Sequence, residues 1–318
     1  MILPVVSVNL PVDEQMRVSK RRLMPEGATG PLPRISIVTG THGDELEGQY
    51  VCFEINRIVA ASPELLDGRI EIYPSLNPLG IDTITRGIPT FDLDMNRIFP
   101  GNGSGSMAEM VAHAIVEDLK GADMVIDIHS SNIFLREIPQ ARINVNCADA
   151  LLPFAMKLNL DFIWIHEAAT VLESTLAHSL NSIGTPCVVV EMGVGMRINH
   201  GMGNQLVSGI FGLMHHMGIW RARPDTAQAV TPVVSRGDEV SFVNADASGI
   251  FITTARNGRC VERGEEIGRI VSPLTGQVLQ AVTAPDSGLL FTIRAYPVVY
   301  EGSLIARIHK MTVKENRK

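Results

Sequence analysis

Four short stretches place chemically capable side chains where apolar runs end. In "ISIVTGTHGDE" (residues 35–45) a β-branched run opens into His42 and Glu45, three residues apart at the mouth of a helical pattern. Either the pair holds a metal, or this is a polar strand-to-helix turn with Thr41 or Asp44 as cap and His42 exposed. In "VIDIHSS" (125–131) Asp127 and His129 close a second apolar run. A strand-end histidine is ordinarily just solvated or hydrogen-bonded. Two such strands, however, deliver His42, Glu45 and His129 to one sheet edge. That is a His2Glu set, which suits one zinc ion per chain and leaves a position for water. In "PCVVVEMGVG" (186–195) Glu191 follows an apolar run. Its bland reading is a structural ion pair; beside a metal-activated water it is the expected general acid/base. In "TITRGIPTFDLDMNRIFPG" (83–101) Asn96 and Arg97 can clamp a substrate carboxylate, Arg97 as a bidentate fork and Asn96 as an extra donor. Arg86 is a candidate to polarise a carbonyl and hold an oxyanion. A surface salt bridge for Arg97 and plain solvation for Arg86 are the alternatives.

The elements around these residues follow from periodicity. Strand-like runs at 35–39, 69–74, 124–129, 162–165 and 187–193 alternate with helical spacing at 45–60, 107–119, 148–158, 173–183 and 205–217. Unbroken apolar strands between helices predict an α/β sheet covered on both faces. Ligands of such sheets bind at the C-terminal strand edge, where the candidate residues fall. The Gly-rich stretch 100–106 is expected to be a connector rather than a lid.

From about residue 230 the chain changes to short β runs punctuated by Gly, Pro, Asp and Asn. The predicted units are therefore 1–222 and 223–318, joined through "RARPDTAQAVTP". Within the second unit, residues 248–270 echo residues 287–308, which predicts two similar β halves in a pseudo-symmetric sandwich. The halves resemble a biotinyl/lipoyl-type fold. The stretch between them, 271–286, has no lysine, so no cofactor attachment is expected.

The chain has 318 residues and is 45% hydrophobic, enough for a large core and a smaller unit. A formal charge of -7 disfavours a nucleic-acid partner, which would want a basic stripe. Cys52, Cys147, Cys187 and Cys260 form no CxxC pair, which suits a reducing compartment. With no membrane-length apolar run and no basic leader before Pro4 and Pro11, a cytoplasmic protein without a membrane partner is expected.

Taken in order and spacing, "GTHGDE", "DLDMNR", "DIHSS" and "VVVEMG" resemble the succinylglutamate desuccinylase/aspartoacylase family of the zinc carboxypeptidase superfamily. The resemblance implies a carboxypeptidase-like α/β/α sandwich with a mixed central sheet, followed by a small all-β C-terminal domain of barrel-sandwich type covering the active-site edge. It implies zinc on His42, Glu45 and His129, Glu191 as general acid/base, Asn96 and Arg97 on the substrate carboxylate, and Arg86 on the carbonyl. A C-terminal tyrosine reaches the site in some relatives; Tyr296 and Tyr300 are the candidates. The implied activity is hydrolysis of a small, carboxylate-bearing N-acyl amino acid, and a homo-oligomer is compatible with it. A carboxypeptidase or cell-wall peptide hydrolase, and a non-catalytic binding protein of the same fold, are the alternatives.

Overall fold

The structure, a computed structural model, describes residues 1–89, 91–167, 173–223 and 229–311. The predicted joint between the two units lies partly outside them. The first part of the chain runs β1 (Ile2–Asn9), β2 (Gln15–Leu23), β3 (Arg34–Thr39), α1 (Glu47–Ala61), β4 (Arg69–Tyr73), α2 (Pro78–Thr83) and α3 (Met107–Leu119). It continues with β5 (Met124–His129), β6 (Leu135–Asn144), α4 (Ala148–Ala155), β7 (Phe162–His166), α5 (Leu176–Ser182), β8 (Cys187–Gly193) and α6 (His200–His216).

At the centre β4, β3, β5 and β8 lie side by side and parallel. Every residue of β3 and β5 is buried, so these strands are unbroken apolar runs rather than alternations. On one face Val51 and Ile55 of α1, Leu151 of α4, and Leu206 and Ile210 of α6 pack on Ile35, Ile37, Ile126 and Val188. On the other, Val111 and Ile115 of α3 and Leu176 and Leu180 of α5 cover Val38, Tyr73 and Val125. The result is the expected three-layer sandwich.

Several elements differ from expectation. β1 and β2 form an antiparallel hairpin joined to the sheet through β4. β6 is a strand antiparallel to β8. The helix expected at 148–158 stops at Ala155, with Pro153 inside it. α6 begins at His200, ahead of the expected 205, because the Asn199 side chain caps Met202 N–H. Gly203 lies in its first turn, where a Cβ would come within 2.5 Å of the Tyr50 ring, so packing placed a poor helix former there.

The remainder is all β: β9 (Val233–Arg236), β10 (Val240–Asn244), β11 (Gly249–Thr253), β12 (Arg259–Val261), β13 (Glu266–Val271), β14 (Val278–Thr283), β15 (Gly288–Arg294), β16 (Val298–Val299) and β17 (Leu304–Lys310). The internal echo is realised as two three-strand sets, β11–β12–β13 and β15–β16–β17. Their short middle strands are exchanged: β12 pairs with β15, and β16 with β11. β14, β13, β11 and β16 make a separate four-stranded sheet. β15 also pairs with β6, and β9 with β7, so C-terminal strands extend the main sheet directly. No helix among the described residues is long and apolar enough to cross a membrane.

Candidate active site

The parallel register sets His129, the last residue of β5, opposite Glu191 of β8, while β3 ends three residues before His42. Close packing shapes the turn after β3. A Cβ on Gly43 would lie 1.9 Å from the carbonyl carbon of Gly80 in α2, and Gly43 N–H donates to Thr85 O. That contact docks the α2 segment, and with it Arg86, against the turn. α1 has Leu46 at its N-cap with no side-chain cap, so neither Thr41 nor Asp44 serves as one.

His42, Glu45 and His129 are all buried, and their potential ligand atoms lie within 4.8 Å of one another. The Nδ1 atoms of His42 and His129 each sit 2.9 Å from an oxygen of Glu45. Their far nitrogens face other carboxylates: Asp94 Oδ1 is 2.9 Å from His42 Nε2, and Asp127 Oδ1 is 3.3 Å from His129 Nε2. Carboxylates in those positions fix each ring and leave Nδ1 as the coordinating atom. Burial works against charge on His42, but Glu45 and Asp94 hold its pKa above the ordinary imidazole value. His129 is held well above it, with Asp127 and Glu45 overcoming burial. Glu45 lies well below the carboxylate range although burial pushes it up, because both imidazoles face it. The three residues thus form a buried centre that attracts positive charge, with two nitrogens and a carboxylate converging. That donor set fits a metal ion.

Arg86 is drawn into the site rather than left in solvent. Its Nη1 donates to Glu45 Oε1 at 2.9 Å, and its Nε is 3.4 Å from Asp94 Oδ2. Asp94 also caps the short turn that carries Asn96, accepting from Asn96 N–H. The Asn96 side-chain oxygen accepts from Leu176 N–H at the start of α5, which leaves its amide NH2 as a donor. Arg97 is exposed, with Nη1 on the Asn96 carbonyl, and no carboxylate among the described residues pairs with it. Tyr296 packs edge-on against Phe134, five residues after His129, whereas Tyr300 is 72% exposed.

Glu191 is buried. Its Oε2 accepts from Ser131 N–H at 2.5 Å, and its Oε1 lies 3.3 Å from Arg142 Nη1. Burial pushes its carboxyl above the ordinary value; Arg142 opposes this, and Glu137 adds to it. Sequence reasoning named Asp127 but gave it no role, although it lies two residues before His129 on one strand and so shares its face; it overlooked Arg142 and Glu137. Arg142 and Glu137 lay in a segment not read as a strand.

The model of the succinylglutamate desuccinylase/aspartoacylase catalytic domain matches residues 31–217. The chain belongs to that family. It is 24% identical over 291 residues to the N-alpha-acetyl-L-2,4-diaminobutyric acid deacetylase of Halomonas elongata, covering 87% of this chain and 82% of that one. Among solved structures, a succinylglutamate desuccinylase/aspartoacylase from Rhodobacter sphaeroides superposes with a TM-score of 0.81 at 22% identity, over 96% of this chain and 94% of that one. The product-bound ectoine utilization protein EutE (DoeB) from Ruegeria pomeroyi gives 0.82 at 20% identity, over 98% and 95%. Both family-like folds carry the trailing β strands as well as the region the family model covers, since each spans nearly the whole chain.

Proposed function

We propose that this member of the family is a zinc-dependent amide hydrolase that deacylates a small N-acyl amino acid. The observation that carries the reading is the convergence of His42, Glu45 and His129 at one buried point, with Glu191 in register beside His129. The deacetylase name of the Halomonas relative supports the reaction class. His42, Glu45 and His129 would hold one zinc ion, which when bound lowers the pKa of a water toward ~7 and polarises a carbonyl. Glu191 takes a proton from the attacking water on its carboxylate and returns it to the leaving amine. Arg86 donates to the oxyanion. The Asn96 amide and the Arg97 guanidinium hold the substrate carboxylate, which turns binding into orientation. In this reading residues 1–222 are the hydrolase unit, and residues 223–318 narrow the entrance and exclude long peptides. The four cysteines, all free, support a cytoplasmic setting. The test is kcat/KM of zinc-loaded protein on free N-acetyl- and N-succinyl-amino acids against peptides of three or more residues. The acyl amino acids are expected to win; faster cleavage of tripeptides would replace the reading with a carboxypeptidase.

A further inference from the structure

Glu191 has one side-chain ion-pair partner among the described residues, Arg142, and Arg142 has a second task. Its Nη2 lies 2.6 and 2.7 Å from the two oxygens of Glu137, while its Nη1 reaches Glu191 Oε1 at 3.3 Å. Glu137 is fully buried and shared. Arg307 of β17 donates to its Oε1 at 2.8 Å, and Thr292 of β15 reaches the same oxygen at 3.3 Å. The chain of contacts therefore runs from the last strand to Glu191.

Three features make this arrangement specific. Glu137 and Arg142 are five residues apart on β6, so plain alternation would put them on opposite faces. The register slips between Glu137 and Gln140: Glu137 faces Gly193, and Gln140 faces Glu191. Three residues of β6 thus span two of β8, and this bulge returns Arg142 to the face of Glu137. Next, Trp164 of β7 is Arg142's partner in register, and its ring lies 5.9 Å from the Arg142 guanidinium and 5.5 Å from that of Arg307. The ring gives both planar groups a surface to lie on. Finally, the charges balance only as a foursome. Arg142 and Arg307 oppose Glu137 and Glu191, so the second arginine on Glu137 leaves part of Arg142's charge for Glu191.

We infer that Arg142 is a positioning residue that aims the Glu191 carboxylate, and that Glu137 and Arg307 hold Arg142 in place, so that strand β17 of the C-terminal region orients the proton-transfer group. This rests on the reading of Glu191 as general acid/base given above. Arg142 meets the two carboxylates with different nitrogens of one planar fork, Nη2 on Glu137 and Nη1 toward Glu191, whereas a lysine would have to serve both from a single atom.

The experiment compares zinc-loaded wild type with Arg142→Lys, Arg142→Gly and Arg307→Lys on the N-acyl amino acid that wild type turns over best. Misplaced general bases lose roughly 10- to 100-fold in rate, and that drop is expected in kcat for Arg142→Lys, with KM within about twofold of wild type. Arg307→Lys, one contact further away, should show the same split with a smaller loss. Guanidinium added to Arg142→Gly should recover part of kcat. Bound zinc should stay at the wild-type level in all three. An unchanged kcat overturns the inference. So does a loss that sits in KM, which would make Arg142 a substrate ligand, and so does loss of zinc, which would make it a support of the metal residues. A crystal structure of Arg142→Lys separates this inference from the functional reading. If wild type hydrolyses no N-acyl amino acid, the reading fails alone. The positioning role still stands if the Glu191 carboxylate has turned in the variant, and falls if it has not.

Discussion

The sheet buries ionic clusters at two places, and they solve the same electrostatic problem differently. Under the β1–β2 hairpin, Lys20 Nζ donates to Glu71 Oε2 at 3.0 Å, Asp118 Oδ2 at 2.6 Å and Tyr73 Oη at 3.2 Å. Arg22 takes the other oxygen of Glu71, Oε1, at 2.7 Å, and Arg34 Nη1 lies 3.6 Å from Oε2. A cation belonging to the chain sits among these carboxylates, and all three protons of Lys20 are used. At the C-terminal strand edge, Glu45, Asp94, Asp127, Glu137 and Glu191 outnumber Arg86, Arg142 and Arg307. Buried charge is therefore not itself a sign of function. What distinguishes the second cluster is that the lone pairs of His42, Glu45 and His129 converge on one point instead of on a lysine.

That contrast can be broken in order of expected effect. Replacing His42 and His129 together by alanine should abolish zinc binding and turnover while the hairpin cluster and the fold remain; elemental analysis with circular dichroism reads both, and unchanged metal content would sink the ligand set. Glu191→Gln should keep zinc and the fold but lose kcat on the order of 100-fold or more, since the amide cannot take up the proton. Lys20→Met should do the reverse. Removing one partner of a buried pair typically costs about 3–5 kcal/mol; Arg22 remains on Glu71, so a loss of roughly 3 kcal/mol in denaturant unfolding is expected, with kcat unchanged. If Lys20→Met impaired turnover at full stability, the division between the clusters would be wrong.

Acid titration sharpens the same point. Burial pushes Glu71 up, but Lys20 and Arg22 hold it below its ordinary value of 4.5. A carboxyl with a depressed folded pKa contributes stability above its unfolded pKa and loses it as pH falls through the folded one. The stability gap between wild type and Glu71→Gln should therefore be full at neutral pH and close below about 4.5; a gap independent of pH would mean the pairing contributes nothing. Arg97→Ala is the smallest effect. Arg97 is exposed, outside both clusters, so a rise in KM of roughly tenfold with kcat retained is expected. Steady-state kinetics that left KM unchanged would remove Arg97 from the carboxylate clamp.

The same clusters decide what could be read from the sequence. β5 and β8 coincide with the expected runs at 124–129 and 187–193, because strands covered on both faces leave only apolar residues to write. His42, Glu45, His129 and Glu191 stood out for the same reason: each interrupts or ends such a run. β2 and β6 were harder to read because charged side chains interrupt their inward rows. Lys20 follows Met16 and Val18 on β2, and on β6 Glu137 and Arg142 stand among apolar residues where a bulge breaks the alternation. Asp94 gave no signal as a partner of His42, since the two meet only through folding. Arg86 could be suspected but not placed, because its position depends on the contact between Gly43 and Gly80.

The pairing of β15 with β6 has a consequence for how the protein is made. Leu135, Arg136 and Glu137 take Arg294, Ile293 and Thr292 as partners, residues synthesised long after the rest of β6. Until they emerge from the ribosome, the start of β6 is a bare strand edge, directly following the loop that carries Ser131. A nascent chain stalled before residue 288 would contain every proposed metal ligand and yet offer that edge to its neighbours, the kind of surface on which incomplete chains misassemble.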